Sequence, residues 1–293
     1  MLVLLVVTVI LFFYREQNAF STTFYRLTTH KFHSTQGQIR IVQLSDLHSK
    51  TFGRKNKRLI NKIKRLNPDL IFATGDLISS TDTNGGAFLD LIDGLKGQYP
   101  IFYIEGNHET TARYDQMNNE TGWYDDFLRQ LKEKGIFLLD NDYQQVEVNG
   151  EELFIYGLTL PLTHYKAVPQ AIKDRANHRE ITNLSEVFSP LRLESINILL
   201  AHSPFLATLY EKHGFDYTYS GHVHGGILRL PFIGGVLSPE RKFFPTYSCG
   251  IYSMDRMTLI VSRGLGKLRL FNRPHLVVVD LVADPNKPRH PKG

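Results

Sequence analysis

Cysteine is nearly absent from this chain of 293 residues, in which Cys249 stands alone. A single cysteine cannot form an intramolecular disulfide, and it cannot build a zinc site from sulfur ligands alone. A strong excess of charge is also lacking, because 34 basic and 29 acidic side chains leave a formal net charge of +5. That balance suits an anionic substrate or a negatively charged lipid surface. It is too weak to favour nucleic acid, so no nucleic-acid partner is expected.

Long hydrophobic runs are lacking too, since residues 2–14 form a run of only thirteen that is apolar apart from Thr8. As a helix this run spans about 20 Å, short of the roughly 30 Å hydrocarbon core of a bilayer. No Lys or Arg precedes the run and no clean cleavage site follows it, which favours a short, uncleaved membrane anchor over a signal peptide. The alternative is a buried first strand or helix. The basic residues that follow, Arg15, Arg26 and Lys31, leave the side of the membrane open.

Internal repeats are absent, and a chain with 42% hydrophobic and 22% charged residues has ordinary globular composition. Its length allows one or two domains with a full core. Changes in the proportion of apolar residues divide the chain into a hydrophobic anchor at residues 1–14, a polar tether at 15–37, a globular domain at 38–283 and a polar tail at 284–293.

Short apolar runs alternate with polar loops along the globular domain and predict its strands. They cover residues 39–44, 70–74, 101–104, 153–158, 196–201, 217–220, 258–261 and 276–281. The basic stretch at residues 54–65 has apolar residues at helical spacing, which indicates an amphipathic helix with a solvated basic face. Asn149-Gly150 predicts a type I′ hairpin. Early strands alternate with helices and later ones are more antiparallel, so we expect an α/β (α+β) fold with mixed sheets packed face to face.

Five short motifs carry side chains suited to metal chemistry, and each directly follows an apolar run. They are Asp46-Leu47-His48, Gly75-Asp76, Gly106-Asn107-His108-Glu109, His202 and Gly221-His222-Val223-His224. Because ligands of sheets with crossover helices bind outside the carboxyl ends of strands, the five loops are expected at one edge. Taken singly, each motif also fits an ordinary role as a capping pair, a turn or a core histidine.

The donor atoms of these motifs are carboxylate oxygens, an amide oxygen and imidazole nitrogens, without sulfur. Such a set suits manganese, iron, zinc or similar divalent ions, and it is too rich in nitrogen for calcium or a typical magnesium site. The candidate ligands outnumber the needs of one four-coordinate ion. Two ions that share a carboxylate are therefore indicated, and a pair about 3.5–4 Å apart can clamp a phosphoryl group for in-line attack.

The order and context of the five motifs resemble the calcineurin-like metallophosphoesterase superfamily over about residues 38–281. The superfamily pattern is Asp-x-His, Gly-Asp, Gly-Asn-His-Asp/Glu, a lone His and Gly-His-x-His, and this chain has all five in that order. Ser45 before Asp46, and Leu230-Pro231 after the last motif, are similar to the bacterial, membrane-linked phosphodiesterase-like branch. The resemblance implies a four-layer αββα sandwich of two mixed β-sheets flanked by helices, here preceded by the hydrophobic anchor.

The resemblance also implies a role for each motif residue. One metal ion would be held by Asp46, His48, Asp76 and His224. The second would be held by Asp76, Asn107, His202 and His222. Asp76 would bridge the two ions, and His108 would be the catalytic imidazole that protonates the leaving-group oxygen or stabilises its charge. A metal-bound water that loses its proton near neutral pH would be the nucleophile. We expect two divalent ions, manganese first and iron or zinc as alternatives, and no other cofactor.

These inferences lead to a dinuclear hydrolase of phosphate esters or pyrophosphates. The anchor favours a phosphodiesterase that acts on a lipid or cell-envelope precursor at the bacterial cell membrane. A phosphomonoesterase or nucleotidase with soluble substrates is the alternative within the same class. A catalytically silent scaffold, like the retromer subunit of this superfamily, is the alternative from another class. Such scaffolds typically lose ligands or the catalytic histidine, whereas His108 and every ligand position are filled here.

Three further features near the motifs have open roles. Glu109 either orients His108 through a hydrogen bond or is an exposed loop acid or a charge at a helix N-terminus. Arg113 either contacts phosphate or lies on the surface. Residues 229–247 are apolar, interrupted by glycine and proline, and follow the last motif directly. They form either a loop that touches lipid or a core-packed connection between the sheets.

Overall fold

The computed structural model describes residues 1–119, 121–166, 168–176, 180–226, 228–230, 232–241, 243–266 and 271–285. Pro231 and residues 286–293 of the expected polar tail lie outside the described residues. The α-helices described are α1 (Leu2–Asn18), α2 (Lys57–Leu66), α3 (Gly86–Leu95), α4 (Asn107–Asn119), α5 (Trp123–Glu133), α6 (Gln170–Ala176) and α7 (Ala207–His213). The first strands are β1 (Ser21–Thr29), β2 (Gln38–Leu44), β3 (Leu70–Thr74), β4 (Ile101–Ile104), β5 (Phe137–Leu138), β6 (Asp142–Val148) and β7 (Glu151–Leu158). The later strands are β8 (Ile196–Ala201), β9 (Tyr217–Ser220), β10 (Leu228–Leu230), β11 (Gly234–Leu237), β12 (Gly250–Ser253), β13 (Thr258–Val261) and β14 (His275–Ala283).

Two six-stranded mixed sheets form the body of the molecule. The first has the order β1-β14-β2-β3-β4-β5, in which only the β14–β2 pair is antiparallel. The second has the order β12-β13-β9-β8-β7-β6, with antiparallel pairs at its two edges and parallel pairs between them. The parallel strands of each sheet bring their carboxyl ends to a common edge, where the expected metal motifs begin.

Three apolar cores separate four layers. The core between the sheets takes side chains from both of them, and the ring centroids of Phe72 and Tyr219 lie 5.0 Å apart there. Helices α2, α3 and α5 cover the outer face of the first sheet, with Phe88 and Phe127 in that core. Helix α7 covers part of the outer face of the second sheet, where Tyr210 is fully buried. The αββα sandwich of two mixed sheets, expected from the resemblance, is confirmed.

The local structure follows from hydrophobic spacing. All five residues of β3 are buried, and a near-continuous apolar run is typical of a parallel strand that is covered on both faces. In α2 the buried residues Leu59, Ile63 and Leu66 are spaced by four and three, so they share one face and leave the basic residues exposed. Asn149 and Gly150 have φ of 54° and 80°, as a type I′ turn requires between β6 and β7. The predicted amphipathic helix and hairpin are both confirmed.

The expectation of a tether at residues 15–37 is wrong for residues 21–29. This segment is β1, which pairs in parallel with β14 from Ser21 opposite His275 to Thr29 opposite Ala283. Its polar composition reflects an edge strand with one solvated face: Phe24 is exposed, whereas Leu27 packs against the core between the sheets. By pairing with β14, β1 satisfies the backbone N–H and C=O groups that β14 turns away from β2.

Helix α1 contains the expected anchor, and residues 2–14 are exposed, so they are not a buried first element of the domain. Its last turn lies against the loop after β2 and the loop before β14. Glu16 is buried and accepts a hydrogen bond from Nε of Arg273 at 2.5 Å, and the carbonyl of Gln17 accepts one from the Lys50 ammonium. Across the described ranges we find no helix that combines the length and the apolar character needed to cross a membrane.

Candidate metal centre

The loops that follow β2, β3, β4, β8 and β9 meet at one edge of the sandwich and carry all five motifs. One ligand atom from each of four side chains lies within 4.8 Å of the others, in a group formed by Asp46, His48, Asp76 and His224. A second group, with the same limit, is formed by Asp76, His202 and His222. Asp76 belongs to both groups, so its carboxylate lies where a bridging ligand is required.

Strained backbone accompanies these ligand groups. The φ angles of five motif residues lie between 48° and 68°, at Asp46, His48, Asp76, His222 and His224. Left-handed conformations cost non-glycine residues on the order of 1–3 kcal/mol each and cluster at functional sites. Backbone hydrogen bonds hold two of these loops together, since the N–H of Asp46 donates to the carbonyl of Gly75 and that of His48 to the carbonyl of Asp76, each at 3.0 Å.

The two carboxylates are fixed by hydrogen bonds and remain ionised. Ser45 donates to Oδ2 of Asp46 at 2.5 Å, and the backbone N–H of His222 donates to its Oδ1 at 2.9 Å. Asp76 accepts the N–H of His108 at 2.9 Å. Burial by itself would raise the pKa of Asp46, but the imidazoles of His224 and His202 outweigh it and lower that pKa well below the usual range. The pKa of Asp76 is lowered in the same way, chiefly by His202 and His108 against burial.

His202 directs Nε2 towards the centre. Its Nδ1–H donates to the carbonyl of Thr74 at 2.8 Å, which leaves Nε2 3.2 Å from Oδ2 of Asp76. Burial lowers the pKa of His202, but Asp76 and Asp46 raise it to about 10. The two carboxylates thus stabilise positive charge at this point. His48 differs, because burial lowers its pKa to about 3 and keeps the ring neutral, as a metal ligand must be.

The chemistry of this donor set fits divalent cations. Within the described part of the chain, Oδ1 of Asn107 is buried without a hydrogen-bond partner. Burying such an atom unpaired is costly, and a cation would satisfy it. Nε2 of His48 faces Nε2 of His224 at 3.1 Å, and the latter lies 3.1 Å from Oδ1 of Asp46. Nitrogen and oxygen donors that converge in this way suit manganese, iron or zinc.

His108 lies beside the ligand groups, with its ring centroid 4.6 Å from that of His48. Its Nδ1 accepts a hydrogen bond from the backbone N–H of Ser80 at 3.0 Å. A neutral imidazole that accepts at Nδ1 carries its proton on Nε2, so the Ser80 contact selects the tautomer. The sequence could not reveal this contact, because Ser80 contributes only its backbone.

Of the roles left open for Glu109, the structure matches a charge near a helix N-terminus and not an exposed acid, because the residue is buried in the first turn of α4. Its side chain is fully buried, and its two oxygens accept four backbone N–H groups at 2.6–3.1 Å. The donors belong to Asp76, Leu77, Ile78 and Gly106. Glu109 therefore holds the loop after β3 against the loop after β4, and it fixes the backbone of Asp76.

Arg113 is engaged away from phosphate. Its guanidinium forms a short ion pair with Glu105 and a second one with Asp140 at 3.5 Å. Glu105 in turn accepts the hydroxyl of Tyr124 at 2.7 Å. Arg113 is also more than a surface residue, because its ion pair with Glu105, which binds Tyr124, links α4 to α5.

Glu240 is a site residue that lies outside the five motifs. Its side chain is 2% exposed, and Oε1 lies 3.2 Å from Nε2 of His222. It also accepts the backbone N–H of Lys166 at 3.2 Å. Burial lowers the pKa of His222, so its ring is neutral, and Glu240 orients it. That Glu240 is the one acid in segment 229–247 was the available signal for this role.

The loops can approach one another only because Gly106 lacks a side chain. A Cβ there would lie 2.3 Å from Oδ1 of Asp76 and 2.6 Å from its backbone nitrogen. We expect Gly106→Ala to displace the bridging carboxylate and to lower both metal affinity and hydrolysis at least about a hundredfold. Metal content and turnover of bis-p-nitrophenyl phosphate measure the effect. Gly86→Ala, whose Cβ would meet only the side chain of Asn84, is the control, and equal behaviour of the two variants would contradict the prediction.

Metal binding is expected to release a proton from His202. Without a cation its pKa of about 10 keeps the ring protonated at neutral pH, and the proton must leave before Nε2 can bind a metal. Metal affinity should therefore rise with pH, about tenfold per unit for one displaced proton. Calorimetric titration with Mn²⁺ in buffers of different ionisation enthalpy counts the proton. The His213→Ala variant should release the same number of protons as the unmodified chain. Metal binding that releases no proton from the unmodified chain would refute this prediction.

Comparison with known proteins agrees with this geometry. The calcineurin-like phosphoesterase family matches residues 39–226, more than half of the chain. The metallophosphoesterase YkuE of Bacillus subtilis is 29% identical over 83% of this chain and 78% of its own. The phosphodiesterase YaeI of Escherichia coli is 26% identical over 86% and 85% of the two chains. The UDP-2,3-diacylglucosamine pyrophosphatase LpxG of Chlamydia muridarum is 24% identical over 84% of each.

The matched region begins in β2 and ends just after the last metal motif, so it includes every loop that meets at the edge of the sandwich. The resemblance inferred from the five motifs is thereby confirmed, and the scaffold alternative is set aside in favour of a metallophosphoesterase. The chain belongs to the calcineurin-like phosphoesterase family.

Proposed function

We propose that this metallophosphoesterase hydrolyses the phosphodiester or pyrophosphate bond of a lipid or another cell-envelope precursor at a bacterial membrane. The observation that carries the proposal is the pair of ligand groups that share the buried carboxylate of Asp76 beside His108. We propose two divalent ions, Mn²⁺ first and iron or zinc as alternatives. Their ligands would be Asp46, His48, Asp76 and His224 for one ion, and Asp76, Asn107, His202 and His222 for the other.

When bound, the two ions would supply an activated water and neutralise the charge of the phosphate. The remaining steps belong to the chain's own residues. His108 holds a proton on Nε2 at the centre, where the leaving-group oxygen can take it as the phosphorus–oxygen bond breaks. Ser80 keeps that tautomer, and Glu109 holds the backbone of Asp76 in place.

Two observations favour a diester or pyrophosphate over a monoester. The arginine nearest the motifs in sequence, Arg113, is occupied by Glu105 and Asp140, so it does not offer its charge to a doubly charged phosphate. Two relatives carry names for such substrates, a phosphodiesterase and a pyrophosphatase. The name of the second also specifies two acyl groups, which supports a lipid substrate for this chain.

Helix α1 supports a site of action at the membrane. Its apolar residues 2–14 are exposed, and its last turn lies against the loop after β2, which carries Asp46 and His48. We propose that α1 anchors the chain in one leaflet, because its apolar part is about 20 Å long. The anchored domain would then keep its metal edge close to the lipid surface.

The test uses the full chain in detergent, stripped of metal and reloaded with Mn²⁺. We expect faster hydrolysis of bis-p-nitrophenyl phosphate than of p-nitrophenyl phosphate. Activity should follow Mn²⁺ loading and be absent from the stripped chain. Faster cleavage of the monoester would support the alternative of a phosphatase or nucleotidase and would overturn the diester proposal.

A further inference from the structure

The segment after the last metal motif forms an exposed apolar surface, which we call the lip and define as Phe232, Ile233, Phe243 and Phe244. Strands β10 and β11 form an antiparallel hairpin outside the two main sheets. Phe232, in the connection between them, is fully exposed, and Ile233 is 60% exposed. Phe243 and Phe244 lie on the other side of β11, where the N–H of Phe244 donates to the carbonyl of Val236 at 2.9 Å, and both rings are more than 60% exposed.

The lip is tied to the metal centre at both of its ends. Gly226, two residues after His224, packs so closely on Gly235 that a Cβ would lie 2.9 Å from the Cα of Gly235. Between β11 and Phe243 the chain contributes Glu240, whose carboxylate contacts His222. The apolar rings therefore lie on the same edge of the sandwich as the proposed ligands, and their exposure shows that the described part of segment 229–247 is not a core-packed connection between the sheets.

The lip is also linked to the anchor. The exposed ring of Phe271 lies 5.9 Å from that of Phe12 in α1. The next residue, Asn272, donates through Nδ2 to the carbonyls of His224 and Gly226, at 2.6 and 2.7 Å. One connected series of contacts thus leads from the apolar surface of α1, through Phe271, to the start of the hairpin.

The composition of this edge suits the boundary of a bilayer. Large exposed apolar patches on soluble domains mark surfaces that bind a partner. Exposed aromatic and aliphatic side chains flanked by cations are typical of segments that lie in the headgroup layer. The cations here are Arg15 at the end of the anchor, Arg229 within β10, and Arg241 after β11. Their charge complements anionic phospholipid headgroups.

We propose that the lip inserts into the anionic membrane surface that holds α1, so that the metal centre faces the headgroup layer. The docking itself rests on the anchor and the exposed rings, and only its use in catalysis rests on the proposed function. A phosphoryl group at the level of the headgroups could then reach the centre without leaving the membrane.

The test places a tryptophan on the lip of the full chain in nanodiscs of phosphatidylcholine and phosphatidylglycerol. Trp123→Phe removes the native fluorophore, and Phe232→Trp introduces a reporter. Insertion by about 5–10 Å should quench its emission at least about twofold when the lipids carry bromine near the top of their acyl chains. The matched control is Leu193→Trp, which is exposed beyond the opposite end of β8 and should not be quenched.

Equal emission of the Phe232→Trp variant with brominated and ordinary lipids would overturn the proposal. Emission that changes only with protein concentration would also overturn it, because the lip would then contact a second copy of the chain.

A kinetic comparison separates docking from the proposed function. In the same nanodiscs, Phe232→Ser with Ile233→Ser should lower kcat/KM about tenfold for a p-nitrophenyl phosphodiester of diacylglycerol. Hydrolysis of soluble bis-p-nitrophenyl phosphate should not change. An unmodified chain that cleaves the soluble diester and not the lipid would overturn the lipid substrate, and the quenching result would still decide docking. Equal losses on both substrates would overturn a role for the lip in presenting lipid.

Discussion

Replacement of Asp76 by Asn is expected to reduce hydrolysis of bis-p-nitrophenyl phosphate at least about a thousandfold, or roughly 4 kcal/mol of transition-state stabilisation. The reason is that Asp76 contributes to both ligand groups, so the loss of its charge weakens two cation positions at once. Metal analysis and turnover of the loaded protein measure the effect. Asp93→Asn, an exposed carboxylate on α3, should keep full metal content and activity.

The same variant distinguishes a metal ligand from a structural residue. The pKa of Asp76 is lowered chiefly by His202, so its carboxylate is paired with that imidazole in the metal-free chain, and Asp76→Asn should lower the thermal stability of that chain. Addition of Mn²⁺ should raise the melting temperature of the unmodified chain and leave that of the variant nearly unchanged. A variant whose melting temperature Mn²⁺ still raises as much as that of the unmodified chain would refute the bridging role.

Replacement of His108 by Ala is expected to separate chemistry from metal binding. Metal content should be unchanged, because His108 belongs to neither ligand group in the described part of the structure. A positioned general acid contributes about 10²–10⁴-fold when the leaving group needs a proton. We therefore expect a loss of that size for alkyl phosphodiesters and a much smaller one for p-nitrophenyl esters, whose leaving group departs as a stable anion.

Leaving-group dependence is the decisive measurement for His108. A plot of log kcat against leaving-group pKa should become steeper in His108→Ala, and Asn at this position should behave like Ala. His164→Ala serves as the control, because the His164 side chain belongs to neither ligand group and accepts the backbone N–H of Ile181. If His108→Ala lowers kcat equally for all leaving groups, or if the variant loses metal, a role of His108 as proton donor is contradicted.

The sequence was informative wherever a side chain itself does the chemistry. The motif residues were found because each follows an apolar strand, and parallel strands bring their carboxyl ends together. The structure places all of them at one edge, with two ligand groups that share Asp76. The strands were predictable for the same reason, since burial on both faces gives β3 and β8 continuous apolar runs.

The features that the sequence did not reveal depend on backbone groups or on long-range partners. Strand β1 is polar because one of its faces meets solvent, and only its pairing with β14 makes it a strand. Ser80 acts through its N–H, and Glu109 acts on four N–H groups of two loops. Glu240 reaches His222 from the turn after β11. None of these contacts leaves a periodic or spaced pattern in the sequence.

The central claim is that two divalent ions share Asp76 and that both are needed for diester hydrolysis. Its most direct test is stepwise addition of Mn²⁺ to the metal-stripped full chain, with electron paramagnetic resonance and turnover of bis-p-nitrophenyl phosphate followed together. The account predicts that activity follows the exchange-coupled signal of a manganese pair and reaches its maximum with two ions per chain. Full activity with a single bound ion and no coupled signal would contradict it.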